Sequence, residues 1–309
     1  MKKYLNYLPL LLILATTQAM SAQAGVQPRN GDFFINYTDI IVPDGDAEPL
    51  SLERTYNSRS QEHGWFGLGW GTPFETSLKT DRNGSIIVKE NGSGAHTRFD
   101  KVDRKLAPLA INVKSGDELY YSGRWADEWL VRSTGGYVRY DAYGKKEGFD
   151  TKGRLVSLTS AKIDWRIKRD KAGLPKQIVS NKGAVINFAM NDNGTVARIW
   201  GVYGGRCREA TYSYRGDLLL QSMDVDGNRY LFGYDKVGNM TVIQYSDRKQ
   251  MHIEYDAYQY VRKVEKRDGR KVFYEYGHND PKHPEQYDYA IVILQGADGV
   301  ETKRQRIDF

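Results

Sequence analysis

A rhythm of glycine corners constrains this chain more than any other feature. From Phe149 onward Gly153, Gly173, Gly194, Gly216 and Gly238 recur about every 21 residues. A second series, Gly183, Gly204, Gly227 and Gly269, falls roughly midway between them. Several close turn dipeptides: Lys152-Gly153, Asn193-Gly194, Asp226-Gly227 and Asp268-Gly269. Asn, Asp and Gly tolerate the positive φ that tight hairpin turns require. Between corners the apolar residues alternate: Ile186, Phe188 and Met190; Ala210, Tyr212 and Tyr214; Tyr230, Phe232 and Tyr234; Met251, Ile253 and Tyr255; Val272, Tyr274 and Tyr276. The intervening positions carry Asn187, Thr211, Ser213, Arg229, His252 and Glu254. Period two puts one face in a core and the other in a polar environment. Each repeat is therefore a pair of strands, and successive hairpins add to one antiparallel sheet.

The composition agrees, with 22 Tyr and 31 Gly against 9 Pro. The formal charge is a mild +6, with basic and acidic residues interleaved, which argues against nucleic acid as the main partner. Cys207 is the single cysteine, so neither an intramolecular disulfide nor a thiol metal cluster can form. Lys2 and Lys3, the apolar stretch from Leu8 to Ala15 and the small-x-small site Ala22-Gln23-Ala24 read as a Sec-type export leader, residues 1–24, with Gly25 as the mature start. That apolar run is too short to span a bilayer, and nothing later is long enough.

Tyr-Asp pairs recur at Tyr140-Asp141, Tyr234-Asp235, Tyr255-Asp256 and Tyr287-Asp288, the first two opening Asp-x-x-Gly turns. Upstream, Gly31-Asp32-Phe33-Phe34, Tyr37-Thr38-Asp39-Ile40, Leu52-Glu53-Arg54-Thr55-Tyr56-Asn57-Ser58-Arg59, Gly67-Leu68-Gly69-Trp70-Gly71 and Glu90-Asn91-Gly92-Ser93-Gly94 follow in order. This ordered set resembles the Rhs/YD-repeat proteins, with residues 26–105 looking like the domain that opens many of them. The resemblance implies an all-β chain: an N-terminal β domain over 25–105, a connecting β region over 106–148, and YD repeats over 149–309 forming an extended, curled antiparallel sheet. With room for about seven repeats, the expectation is an open, twisted part of a shell whose edge invites a partner. Toxin members of the family enclose a C-terminal toxin released near an Asp-Pro-x-Gly motif. Here Asp280-Pro281 runs on into Lys282-His283-Pro284 without that glycine.

Candidate chemistry is sparse. The cluster around Trp65 and Trp70 can stack on sugar rings or plug the junction between the N-terminal domain and the repeats. Tyr212, Tyr234 and Tyr255 join these two as candidate binding residues on a Tyr-rich face. Asp224-Val225-Asp226-Gly227-Asn228 starts like a calcium loop, but its glycine is fourth rather than sixth, which favours a hairpin turn. His63, His96, His252, His278 and His283 fall in no metal or nucleophile motif, and no metal or cofactor is expected. Asp141, Asp226, Gly227, Asp235, Gly238, Asp256, Asp268 and Gly269 are expected to build turns; in the Tyr-Asp pairs the Asp caps backbone N–H groups two residues on while its Tyr bonds across the strand. The expectation is an exported, non-catalytic scaffold for a protein or glycan partner. The alternatives are a truncated shell or accessory of a toxin or secretion system, and a glycan-active enzyme with converging carboxylates.

Overall fold

The computed structural model describes residues 23–92, 94–123, 127–279 and 287–309. The expected leader up to residue 22, Ser93 and the 280–284 stretch with His283 lie outside the described residues. Two short 3-10 turns interrupt an otherwise all-β chain. Three strands, β1 (Gln23–Gln27), β2 (Asp32–Val42) and β3 (Leu50–Asn57), form a four-stranded sheet with Trp70–Gly71. The second sheet holds 21 antiparallel strands, from Ser77–Thr80 to Glu301–Asp308. It passes through residues 105 and 148 without a break, so the expected boundaries there fall inside a continuous sheet.

The sheet is curled as expected and closes on itself only at its first strand, while Glu301–Asp308 pairs with Tyr289–Gln295 alone among the described residues. Strand Ser77–Thr80 bridges back to Arg154 through Ser77, and Leu78 N–H donates to Gly153 O at 2.8 Å. Bulges supply the curvature. The register shifts at Phe149, Arg169, Met190, Tyr214 and Tyr234, just before the corners of the first glycine series, at Tyr255 one period on, and again at Gln295. A bulge bends its strand and raises the local twist, so six in phase curl the sheet in one direction.

The corners sort into two rims. Those that follow the six bulges from Phe149 to Tyr255 form a near rim, and those of the second series, with the Gly299 corner, form a far rim. Asp150 shows the near-rim turn: its N–H donates to Arg154 O, Gly153 N–H returns to Asp150 O, and Gly153 sits at φ 77°. Two corners keep the phase without glycine. Gln259 takes φ 67° one period after Gly238, and Arg248 takes φ 65° midway between Gly227 and Gly269.

The alternation reads as expected. Ile186, Phe188, Ala210, Tyr212, Tyr230, Phe232, Met251 and Ile253 are buried, and they share one core with Phe33, Ile35, Tyr37, Leu52 and Tyr56 of the N-terminal sheet. That sheet therefore lays its apolar face against the apolar face of the repeats.

Candidate functional site: the seam between the N-terminal sheet and the repeat rim

A strand end presents backbone N–H groups that must find partners once buried. Along the near rim the N-terminal segment supplies them. Val196 N–H donates to Trp65 O (2.7 Å) and Val261 N–H to Gly31 O (2.9 Å). Met240 N–H donates to the Tyr56 hydroxyl (2.9 Å), while Leu68 N–H reaches Asp217 O (2.8 Å). The approach is close enough to exclude side chains: a Cβ on Gly67 would stand 2.2 Å from Asp217 O, and Gly67 also takes φ 95°.

Arg54 lies at the centre of the seam. The register shift between Thr38 and Ile40 inserts Asp39 into β2, so Asp39 and Ile40 are both buried although they are adjacent. Asp39 thereby meets Arg54, Oδ2 to Nε, at 2.6 Å, with both side chains buried. Arg54 Nη2 donates to Ser222 Oγ of the repeats at 2.8 Å. Its guanidinium stands 4.5 Å from the ring centroids of both Tyr37 and Trp70. Burial pushes the Asp39 carboxyl above its ordinary range, and the attraction of Arg54 opposes that shift. For Arg54 burial works most strongly against the charge, yet Asp39, Tyr212 and Tyr37 together outweigh it and raise the guanidinium. Arg54 Nη1 and the Tyr37 hydroxyl are buried without a partner.

The tyrosines before the near-rim corners link consecutive repeats. The hydroxyls of Tyr214, Tyr234 and Tyr255 each donate at 2.9 Å to the carbonyls of Val196, Leu219 and Met240, just past the preceding near-rim corner. The aspartates cap as expected. Asp235 Oδ1 accepts from Val237 and Asn239 N–H, Asp256 Oδ1 from Tyr258 and Tyr260 N–H, and Asp141 Oδ1 from Tyr143 and Lys145 N–H. At the far-rim corner of Gly227 the cap is Asp224, which accepts from Asp226 and Asn228 N–H, so this segment is a hairpin turn. Asp226 instead faces Arg208 at 3.6 Å. Asp268 accepts from Arg270 N–H before Gly269, but Lys266 opens that turn. Gly238 takes φ 94° against the side chain of Leu68.

The five candidate binding residues are all engaged in packing. Trp65 stands edge-on to Phe188, and Trp70 contacts Tyr37, Tyr56 and Phe232; both indoles are buried. Tyr212 is buried against Phe66, and half-buried Tyr234 and Tyr255 spend their hydroxyls on the rim carbonyls. As placed, these rings hold the junction and offer no stacking face to a ligand.

One set of converging carboxylates exists that sequence could not single out. Glu90, Glu128 and Glu147 gather around Arg139 at 2.9, 2.8 and 3.2 Å, beside a cleft of about 110 Å³. Each is ion-paired to the same cation, an arrangement that holds strands together rather than freeing one carboxyl as an acid. His63 pairs with Asp217 at 3.2 Å on the surface. Among the described residues no group of three or more His, Cys, Asp or Glu side chains is placed to hold a metal. No described helix is long and apolar enough to cross a membrane.

Residues 24–99 match a family described only as a domain of unknown function, DUF6531, almost the span 26–105 on which the resemblance rested. Over 160 residues, 50% of the chain, it is 31% identical to double-stranded DNA deaminase toxin A of Burkholderia cenocepacia (strain H111), covering 11% of that protein. Over 298 residues, 88% of the chain, it is 26% identical to tRNA nuclease WapA of Bacillus subtilis (strain 168), covering 12% of it. The chain thus spans about an eighth or less of the length of these relatives. A solved TcdB2-TccC3 structure aligns over 85% of the chain and 17% of its own, at 12% identity and a TM-score of 0.39. The sequence similarities join the chain to a deaminase toxin and a tRNA nuclease, both much longer than itself.

Proposed function

We propose that this chain is an exported, non-catalytic scaffold of the Rhs/YD type that binds a protein or glycan partner. The observation that carries the reading is the difference between the two rims. The near rim is tied to the N-terminal segment at Val196, Asp217, Met240 and Val261, whereas on the far rim that segment reaches the corners of Lys162 and Ala184, and Cβ atoms built on Gly204, Gly227 and Gly299 would meet nothing within 4 Å. Val202 and Val300 beside these corners, and Tyr143 beside Gly144, are exposed, Tyr143 at 93%. Apolar side chains held out on a rigid rim suit a protein partner. The similarity to long toxin proteins supports a second reading of the same architecture, a shell component or accessory of a toxin or secretion system. Export rests on the leader pattern. Cleavage after Ala24 would trim β1, which begins at Gln23, to Gly25–Gln27.

The test is affinity capture from the native envelope fraction, with the chain beside its Tyr143→Lys/Val202→Lys/Val300→Lys variant. A specific partner retained by the first and lost by the second is expected. Identical recovery from both would sink the far-rim reading.

A further inference from the structure

The outer face of the N-terminal sheet has a chemistry that the seam does not use. The alternation of β2 turns Phe33, Ile35 and Tyr37 into the core and leaves Asp32, Phe34 and Asn36 on the opposite side. Pairing surrounds them with polar neighbours: Gln27 lies across from Asp32 on β1, and on β3 Asn57 faces Phe34 and Thr55 faces Asn36. Gly25 pairs with Phe34, and a Cβ there would stand 2.7 Å from Phe34 Cζ. The phenyl ring therefore lies over the glycine, across the sheet rather than away from it. Gln27, Asp32, Phe34, Asn36, Thr55 and Asn57 line an open groove of about 720 Å³. Its formal charges cancel, Asp32 and Glu62 against Arg59 and Lys89, and Lys89 is paired with Glu62 at 3.0 Å.

Two buried acceptors in this groove lack donors, Asp32 Oδ1 and Asn36 Oδ1. Asp32 is only 5% exposed, and its other oxygen is taken by Asn57 Nδ2 at 2.9 Å. An unmet buried acceptor is costly and calls for a ligand that donates. Four residues apart on one strand face, Asp32 and Asn36 stand about 13 Å apart with the Phe34 ring between them. A flat apolar ring flanked by acceptors, amides and a hydroxyl, without net charge, matches a chain of sugar rings. Such a ligand has apolar faces to stack and hydroxyls that donate.

We propose that this groove binds a neutral oligosaccharide, stacked on Phe34 and donating hydroxyls to Asp32 and Asn36. The proposal rests on the binding-scaffold reading and gives it a glycan site remote from the aromatic cluster. Calorimetric titration of the whole exported chain with chitotetraose, maltotetraose, mannotetraose and, as an anionic counterpart, tetragalacturonate tests it. At least one neutral tetrasaccharide should bind. Phe34→Ala and Asp32→Asn, which turns an acceptor into a donor, should each weaken binding about tenfold or more. Phe34→Tyr, which keeps the platform, should bind within about threefold of the parent and guards against misfolding as the cause of loss. Absence of binding to all three neutral sugars, preference for tetragalacturonate, or indifference to Phe34→Ala overturns the proposal. A far-rim partner captured in that case leaves the scaffold reading standing, so the two can fail separately.

Discussion

Replacing Arg54 with Met tests the seam at its centre. The change keeps most of the side-chain volume but strands the buried Asp39 carboxyl, whose partner at 2.6 Å is lost, together with the bond to Ser222. Removing one member of a buried ion pair costs about 3–5 kcal/mol, because a charge remains in the core without compensation. The lost contacts of the cation with Tyr37 and Trp70, both at 4.5 Å, favour the upper half of that range. In a chain of this size the loss lowers the melting temperature by roughly 10 °C. Asp39 already titrates high through burial, and without Arg54 only the Tyr212 hydroxyl opposes that shift. A carboxyl raised in the folded state favours folding while protonated, so Arg54→Met should lose stability as the pH rises above the ordinary aspartate range. The double variant Arg54→Met/Asp39→Leu removes both charges and should recover to within about 1–2 kcal/mol of the parent. Urea unfolding followed by tryptophan fluorescence measures all three. A cost below about 1 kcal/mol for Arg54→Met, or a double variant as poor as the sum of the singles, would refute the reasoning.

Three further outcomes follow from the geometry. Glu75 accepts from Trp65 N–H at 2.7 Å, but its other oxygen is buried without a partner, and burial pushes the carboxyl up to about 8. Its contribution should be complete below about pH 4.5 and decline as the pH rises to 8, by at most about 5 kcal/mol, a slope that Glu75→Gln flattens in pH-dependent urea midpoints. Tyr234→Phe strips the donor from Leu219 O and should cost about 1 kcal/mol by chemical denaturation, while Tyr137→Phe, which makes no such rim bond among the described residues, should cost little. Gly153→Ala would force a Cβ to 2.0 Å from Leu78 O, whereas Gly227→Ala meets only open space. The second should cost about 1–2 kcal/mol for its positive φ alone and the first clearly more; equal losses in thermal melts would contradict the sheet closure.

How much of this was legible depended on the distance between partners. Turn chemistry is local, so Asp235, Asp256 and the glycine corners announced themselves. Arg248 and Gln259 did not, because flanking bonds hold their positive φ: Asp256 caps the N–H groups on both sides of Gln259. The seam was invisible because its bonds join residues far apart, as in Arg54 with Ser222 and Tyr56 with Met240. Alternation from Phe33, Ile35 and Tyr37 carries Asp39 inward, and the bulge that turns Ile40 inward beside it has no local signal in the sequence. The segments that carried the family resemblance, among them Tyr37 to Ile40 and Arg54 to Ser58, supply the seam itself. Arg54 and Tyr56 reach the repeats, and Ser58 Oγ receives Phe33 N–H at 2.9 Å. Closure escaped for the same reason, since nothing local in Ser77 points to Arg154.

The seam also decides how stability is distributed. Repeats that contact only their neighbours unfold as a chain of loosely coupled units, and the ends fray first. Here the N-terminal sheet ties corners at Val196, Asp217, Met240 and Val261 to one rigid body, so those repeats should open only together. The last hairpin, Tyr289–Gln295 with Glu301–Asp308, has no such tie among the described residues. Every residue of its final strand except Ile307 is turned to solvent. Native-state hydrogen exchange should therefore find the amides of Val196, Met240 and Val261 among the slowest, opening near the global free energy. Amides of residues 301–308 should exchange roughly a hundredfold faster or more. Tyr56→Phe should accelerate Met240 selectively, since it removes the acceptor of that N–H and leaves the ring in place. Uniform protection from 196 to 308, or a Met240 amide indifferent to Tyr56→Phe, would show that the repeats support one another without the N-terminal sheet.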